Sequence, residues 1–490
     1  MAQELNRITA TFNNKTVFIS GATGFLGKVL IEKLLRCTEV KTLYLLVRPK
    51  ANKCPKDRLQ EMFNHVLFAR LREERPLSLE KCEVISGDVM ETDLGISDVD
   101  RRILENEVDY IFHSAATTRF DHTLQYAVKM NTLGTKYMLD LARQCKKLKI
   151  FVHVSTCFAF PKEEVLYEKT YEPPMNPQEA LNIFCFGQSK IDDNWAKRYL
   201  GEYTNTYAFS KALSEGLVNQ EMDKLPVIIV RPAVVIPTFK EPFAGYFNSL
   251  QSPMGIFVGA GKGVIRSTHM DSKTNASVVP VDCTINVTLV AVWDYLTLKQ
   301  QRVFNISIPQ EDLKISWEEI INHGKEACTK VPFTQLLWYP NGIMTKSKSW
   351  HMLHVVLFQL IPAVFVDLLL ILLGYKPILV NVNQRLLKGQ QIFDYYTNRA
   401  WTFDMKYFIN VRKRLTKTEK ETYQIEAENI DITAYLVECM LYSRRHIFKE
   451  ADETLPAARR KLKIFFVLDR AVKIAFFALI FYYIIKVIFF

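Results

Sequence analysis

Short apolar runs alternate with amphipathic stretches along the first part of the chain. Val17, Phe18 and Ile19 form the first run, residues 42–47 the second, 82–87 the third, 108–113 the fourth and 150–154 the fifth. Runs this short and this apolar suit strands buried on both faces of a parallel sheet. Helical patterns lie between them. Residues 28–35, Lys-Val-Leu-Ile-Glu-Lys-Leu-Leu, open one helix, and residues 51–81 are charged with Phe63, Val66, Leu67 and Leu71 on a common face. Strands and helices in alternation predict an α/β fold built on a doubly wound parallel sheet. Ligands bind such sheets at the strand C-terminal ends.

The pattern changes in the second half. Residues 283–350 are mixed and are read as completing the substrate side of the first domain. Residues 355–373 are apolar over nearly the 20 or so positions that a membrane span needs, but Pro362 and Asp367 interrupt them. A charge inside a span is expensive, so a buried or membrane-dipping helix is expected. His351 and His354, at its start, have no acidic partner at ligand spacing and are read as structural. Trp401, Tyr407 and Phe408 are expected core residues of a mainly helical domain that ends near residue 450. Residues 474–490 are then almost wholly apolar apart from Lys486, which can snorkel. Arg459, Arg460, Lys461, Lys463, Arg470 and Lys473 precede them, and positive residues mark the cytosolic flank of a span. The expectation is a single-pass C-terminal transmembrane anchor with the rest of the chain in the cytosol; the alternative is a helix lying in the interface. The expected division is 14–285 for the α/β domain, 286–350 for an extension and linker, 351–452 for the C-terminal domain and 464–490 for the tail.

Composition narrows the function classes. A chain of 490 residues has room for two or three domains, and 49% apolar residues supply their cores. The formal charge of +11 is spread widely, with no basic–aromatic repeat or zinc-finger spacing, so nucleic acid is not an expected partner. A basic surface suits a membrane or a polyanionic ligand. Nine cysteines lie scattered without CxxC pairs, which fits a reducing compartment and gives no metal site. The N-terminus has no signal-peptide core, so the sequons at Asn275, Asn286 and Asn305 are read as chance.

Two constellations carry chemistry. Gly21, Gly24 and Gly27 separate the first apolar run from the helix that follows. The first permits a tight turn, the second lets backbone approach a pyrophosphate, and the third lets helix and strand pack closely. The helix N-terminus favours phosphate. The spacing is GxxGxxG rather than GxGxxG. The second run ends at Arg48, with Lys50 behind it, where an NAD site would carry an acidic residue. A cation there suits a 2′-phosphate and therefore NADPH. Asp88, with Val89, ends the third run and can bond an adenine amino group or cap a turn. Ala115 and Ala116, after the fourth, let backbone lie against a ribose. Tyr207 and Lys211 are four residues apart and so share a helix face. An ammonium beside a phenol favours the phenolate, and such a tyrosine can protonate a carbonyl oxygen as hydride reaches the carbon. Thr156, or alternatively Ser155, can hydrogen-bond the same oxygen. Lys211 can also hold the nicotinamide ribose.

With these residues in view the chain resembles the extended short-chain dehydrogenase/reductases, and among them the fatty acyl-CoA reductases. The likeness rests on residues 21–30, 112–121, 152–156, 205–215, 230–232, 259–266 and 279–282, and again on 455–459. It departs at Gly245-Tyr246-Phe247-Asn248-Ser249, where family members commonly carry Gly-Trp-Ile-Asp-Asn, and in a shortened segment 157–203. The resemblance implies a Rossmann domain whose Thr23, Phe25 and Leu26 line the cofactor with the three glycines. It implies reduction of a long-chain acyl-CoA to an alcohol: one hydride gives a thiohemiacetal that expels coenzyme A, and a second reduces the aldehyde. Two NADPH are consumed, and the alcohol feeds wax ester or ether lipid synthesis. It also implies a membrane lipid environment, with the peroxisomal membrane favoured over the endoplasmic reticulum. Oligomeric state and chain length stay open. The rivals are a membrane sterol dehydrogenase or sugar epimerase, against which Arg48 and the C-terminal domain count, and a non-catalytic lipid-binding scaffold, against which Thr156, Tyr207 and Lys211 count. Residues 259–266 fail the Walker pattern, because Gly263 follows Lys262.

Overall fold

The computed structural model describes residues 6–50, 53–187, 193–250, 253–309, 313–425 and 430–489. Seven strands form one parallel sheet: β1 Thr16–Ser20, β2 Thr42–Val47, β3 Cys82–Ser86, β4 Tyr110–His113, β5 Ile150–Val154, β6 Val227–Pro232 and β7 Val303–Ile306. Their order is β7-β6-β5-β4-β1-β2-β3. The chain builds outward from β1 through β2 and β3, then crosses back to β4 and continues in the other direction. Ile19 therefore lies between Leu45 on one side and Phe112 on the other. That reversal leaves a crevice beyond the C-terminal ends of β1 and β4.

The first five strands coincide with the five apolar runs. β6 and β7 were not read from the pattern, and each carries a buried polar side chain, Arg231 in β6 and Asn305 in β7. Arg231 is held by Glu215 through Nε at 2.9 Å and Nη2 at 2.5 Å. Asn305 Nδ2 donates to the carbonyls of Leu166 and Asp404 at 2.8 and 2.9 Å.

The chain forms two compact units made of interleaved segments. The first contains Met1–Phe243, Ser277–Leu313 and Trp401–Glu428. Its sheet is covered by helices that include Phe25–Cys37, Thr206–Gln220 and Val281–Leu298. Helix Val281–Leu298 is apolar enough for a membrane but is buried from Val281 to Tyr295, so it is a core helix. Trp401 and Phe408 are core residues of this unit, and the Trp401 ring meets Phe158 edge-on at 5.1 Å. Tyr407 is half-buried and donates to Asp294 Oδ2 at 2.9 Å.

The second unit contains Ala244–Ala276, Lys314–Ala400 and Asn429–Phe490. It is mainly helical around a short parallel pair, Ser267–His269 with Ile343–Thr345. Its last element is one helix, Leu455–Phe489. Asp469 in that helix is buried, accepting from Arg266 Nη2 at 3.0 Å, Trp338 Nε1 at 2.7 Å and Lys473 Nζ at 2.7 Å. The stretch 464–473, expected to belong to the tail, is thus joined to the unit at Asp469.

Candidate active site

At the end of β1 the backbone turns through Gly21, whose φ of +73° lies in the left-handed region. A Cβ there would lie 2.7 Å from Ala115 N and 2.8 Å from Ser114 Oγ, so a side chain would push the ends of β1 and β4 apart. A Cβ on Gly27 would lie 2.3 Å from Gly21 O, which is why the helix can lie so close to the turn. Gly24 N–H donates to Gly21 O at 2.9 Å, and Gly24 is the N-cap of helix Phe25–Cys37. Polar side chains tie the two strand ends together. Ser20 Oγ lies 2.7 Å from His113 Nδ1 and accepts from Ala115 N at 3.3 Å; Ser114 Oγ donates to Ser20 O at 2.9 Å. Burial lowers His113 to about 3, so its ring is neutral.

Beside the glycine turn is a basic cavity of about 850 Å³, lined by Thr23, Lys28, Arg48, Lys50, Lys53 and Arg58 among others. Arg48 projects from the end of β2, half exposed, with Nη1 3.7 Å from Asp88 Oδ2. Arg58 donates to the carbonyl of Arg48 and approaches Thr23 Oγ1 at 3.4 Å. Burial pushes Arg58 and Lys28 below their ordinary values, and neighbouring cations add to this. Cations gathered this closely favour an anion. Asp88 also accepts from Met90 N at 3.0 Å, which is the turn-capping role. Val89 is buried, where a Cβ on Gly134 would lie 3.1 Å from its Cβ.

Helix Thr206–Gln220 is tied to the end of β5 through Lys211. Asn205 caps it by accepting from Ala208 N at 2.8 Å. Lys211 is buried, and its Nζ donates to the carbonyl of Val154, the last residue of β5, at 2.7 Å. Tyr207, one turn earlier, is half-buried with its ring 5.6 Å from Phe120. Burial lowers Lys211 to about 8, while the charge of Glu215 one turn further on opposes that shift. Directly after Val154, Ser155 Oγ is buried with no hydrogen-bond partner among the described residues. Thr156 Oγ1 lies 3.3 Å from Phe158 N and 3.4 Å from Pro232 O, both long contacts. Asn131, not foreseen from the sequence, fixes the helix laterally. Its Nδ2 donates to Ser210 Oγ at 2.9 Å and Thr117 O at 3.1 Å, and its Oδ1 accepts from Thr117 N at 2.8 Å.

Two family models match, both described as male sterility protein: an NAD-binding one over residues 19–288 and a second over 358–450. Fatty acyl-CoA reductase 1 of Gallus gallus is 33% identical over 455 residues, 92% of this chain and 88% of that one. The Homo sapiens protein of the same name is 32% identical with the same coverage. The Drosophila melanogaster fatty acyl-CoA reductase wat is 31% identical over 472 residues, 96% of this chain and 91% of that one. This chain belongs to the fatty acyl-CoA reductase family. Its fold is shared with solved reductase domains. The terminal R domain from the myxalamid PKS-NRPS pathway aligns with a TM-score of 0.61 at 20% identity, over 89% of this chain and 92% of that domain. The R domain of a Mycobacterium tuberculosis non-ribosomal peptide synthetase aligns with a TM-score of 0.56 at 18% identity, over 90% and 96%. The first unit is accordingly a nicotinamide-cofactor domain.

Residues 245–249, expected from the sequence to depart from the family pattern, lie in the second unit. Gly245 has φ +84°, and a Cβ there would lie 2.6 Å from Glu438 O. The buried Tyr246 and Phe247 rings meet Tyr442 at 5.7 and 5.3 Å. The family-like stretch 259–266 starts as the end of helix Pro253–Gly261 and turns at Lys262–Gly263 against Trp338, where a Cβ on Gly263 would lie 2.1 Å from Trp338 O. Lys262 Nζ sits 3.5 Å from the Phe448 ring centroid.

Proposed function

We propose that this chain is an alcohol-forming, NADPH-dependent fatty acyl-CoA reductase. The observation that carries the reading is Lys211 anchored at the end of β5, one turn from Tyr207 and next to Ser155 and Thr156, on the same sheet end as the glycine turn.

The residues fit a dinucleotide. Side chains at Gly21 and Gly27 would collide with backbone, which leaves the turn bare for a pyrophosphate, and the helix beginning at Phe25 presents its positive dipole end there. Thr23, Phe25 and Leu26 would line that pyrophosphate, Ala115 and Ala116 the ribose, and Asp88 with Val89 the adenine. The basic cavity at Arg48 suits a 2′-phosphate, which favours NADPH over NADH. When bound, the cofactor supplies hydride to the substrate carbon.

The chain's own residues manage the proton and the oxygen. Tyr207 donates a hydrogen bond to the thioester carbonyl oxygen and releases its proton as negative charge develops there. Lys211 stabilises the phenolate left behind. The hydroxyl of Thr156, or that of Ser155, which has no partner among the described residues, supplies a second hydrogen bond to that oxygen. Collapse of the thiohemiacetal breaks the carbon–sulfur bond and releases coenzyme A with the proton on sulfur. The aldehyde is then reduced by the same groups, so each alcohol uses two NADPH and two protons. Residues 474–490 anchor the enzyme in a membrane, peroxisomal in preference to endoplasmic reticulum, where the poorly soluble alcohol can pass into lipid.

Purified full-length protein in detergent, given palmitoyl-CoA and NADPH, tests the reading. The expected result is free thiol and hexadecanol, with two NADPH oxidised for each thiol. NADPH-dependent turnover of a sterol or sugar nucleotide, with no thiol released from any acyl-CoA, would overturn it.

A further inference from the structure

The second unit carries a long exposed apolar surface on helix Lys348–Leu372, which passes through a π turn at Val356–Leu360 and then Pro362. Three polar side chains beyond the start of this helix point inward. His351 Nδ1 lies 2.9 Å from Ser267 Oγ, and Gln359 Oε1 accepts from Arg266 N at 3.2 Å. Asp367 accepts from the backbone N–H groups of Ile378, Leu379 and Val380, each at 2.9 Å. The apolar side chains point outward: Leu353, Ile361, Leu368, Phe365 (60% exposed) and Leu372 (82% exposed). A helix facing water has the opposite arrangement, and an exposed patch this long marks a surface meant for something other than water.

The topology decides how lipid could meet it. The segment starts from strand Ile343–Thr345, which pairs with Ser267–His269, and it returns through helix Leu379–Thr397 to that partner strand. There Gln390 Nε2 donates to Ser267 O at 3.0 Å, and Asn398 Nδ2 donates to His269 O at 3.3 Å. Both ends are thus fixed at one place, so the hairpin can dip into a bilayer but not cross it. Phe358 meets Phe476 of the terminal helix at 5.8 Å, edge to face, which puts the helix beside the first turn of the anchor. From Phe358 to Leu372 the helix rises roughly 21 Å, more than the roughly 15 Å of hydrocarbon in one leaflet, so it would lie obliquely. Lys348 and Arg470 flank the entry and suit anionic headgroups, while Lys346 and Lys473 beside them are paired with Asp271 and Asp469; Lys376, at the tip, limits the depth to what its stem can snorkel from.

We propose that residues 348–378 embed in a single leaflet of a phospholipid bilayer as a second membrane contact beside the terminal helix. Only the Phe476 argument rests on reading 474–490 as a span. The inverted pattern and the returning topology do not.

The test uses full-length protein in vesicles of phosphatidylcholine and phosphatidylserine. An environment-sensitive fluorophore is introduced through a non-cysteine handle at position 365, 372, 481 or 77 in turn. Leu77, exposed on the first unit, is the aqueous control. At 365 and 372, nitroxide lipids labelled on the acyl chain should quench roughly half the emission or more, and aqueous iodide should quench several-fold less than at 77, as expected for hydrocarbon depth. Iodide access equal to that at 77 would overturn the proposal. So would shielding from iodide without lipid quenching, which would mean a second copy or a protein partner covers the hairpin. Lipid quenching at 365 and 372 but not at 481 supports the hairpin while rejecting the terminal span.

Discussion

Lys211 has lost most of its water, and that sets a pH dependence. Burial brings it down to about 8, below its ordinary value of 10.5. As pH rises through about 8 the ammonium that supports the Tyr207 phenolate disappears. Reductive kcat/KM should therefore fall on the alkaline side with an apparent value near there, a property of the Tyr207–Lys211 pair rather than of either group alone. For stability the sign is opposite. Between about 8 and 10.5 the unfolded chain holds the lysine proton that the folded chain has released, so this group makes folding more favourable as pH rises through that window. Flat alkaline kinetics from pH 7 to 10 would remove Lys211 from the mechanism. Tyr207→Phe should abolish turnover and leave NADPH binding nearly unchanged, checked by cofactor fluorescence titration, because the phenol acts mainly in the transition state. Arg48→Ala should raise the KM for NADPH about tenfold or more and that for NADH little, since a charge-assisted bond contributes about 1.5–3 kcal/mol. Arg58 was not legible from the sequence. It sits in a charged helix that reads as a solvated face, and only its position over Thr23 and the Arg48 carbonyl brings it to the cavity. Asn131 was hidden in a different way, because Ser210, the helix residue it holds, lies 79 positions away along the chain.

At the scale of elements, the glycine turn and five strands were legible because each is encoded within about a dozen neighbouring residues. β6 was not, because a charged residue in an apolar run argues against burial until its partner is known. That partner, Glu215, lies on the same helix as Tyr207 and Lys211, so the Arg231–Glu215 pair fastens the catalytic helix to the sheet. Glu215→Gln leaves the Arg231 charge buried and under-compensated, which typically costs about 3–5 kcal/mol. A clear fall in the denaturation midpoint is expected. Because Glu215 also holds the Lys211 value up, the alkaline limb of activity should move to lower pH in the same variant. Residues 401–428 illustrate another limit. Their pattern marks core positions at Trp401 and Phe408 and assigns them to the C-terminal domain, whereas the fold packs both in the first unit, because position along the chain does not tell which core an apolar face meets.

For the whole molecule, the place to cut is set by Asp469. Truncation before Ile464 would remove that carboxylate and strand Arg266, so the informative variant ends at Lys473. It should keep acyl-CoA reduction when detergent or vesicles supply a lipid phase and lose most carbonate-resistant membrane association. Fractionation of cells expressing the truncated chain checks this; undiminished carbonate resistance would shift the anchor to residues 348–378. The helix Leu455–Phe489 is unbroken from the buried Asp469 cluster into the apolar stretch. In the proposed bilayer setting, that continuity leaves no swivel between the second unit and the membrane plane. The unit would stand at a fixed tilt and turn only about the membrane normal. Its encounters with lipid-borne molecules would then be a two-dimensional search with one face always leading, instead of the free tumbling of a protein on a slack tether.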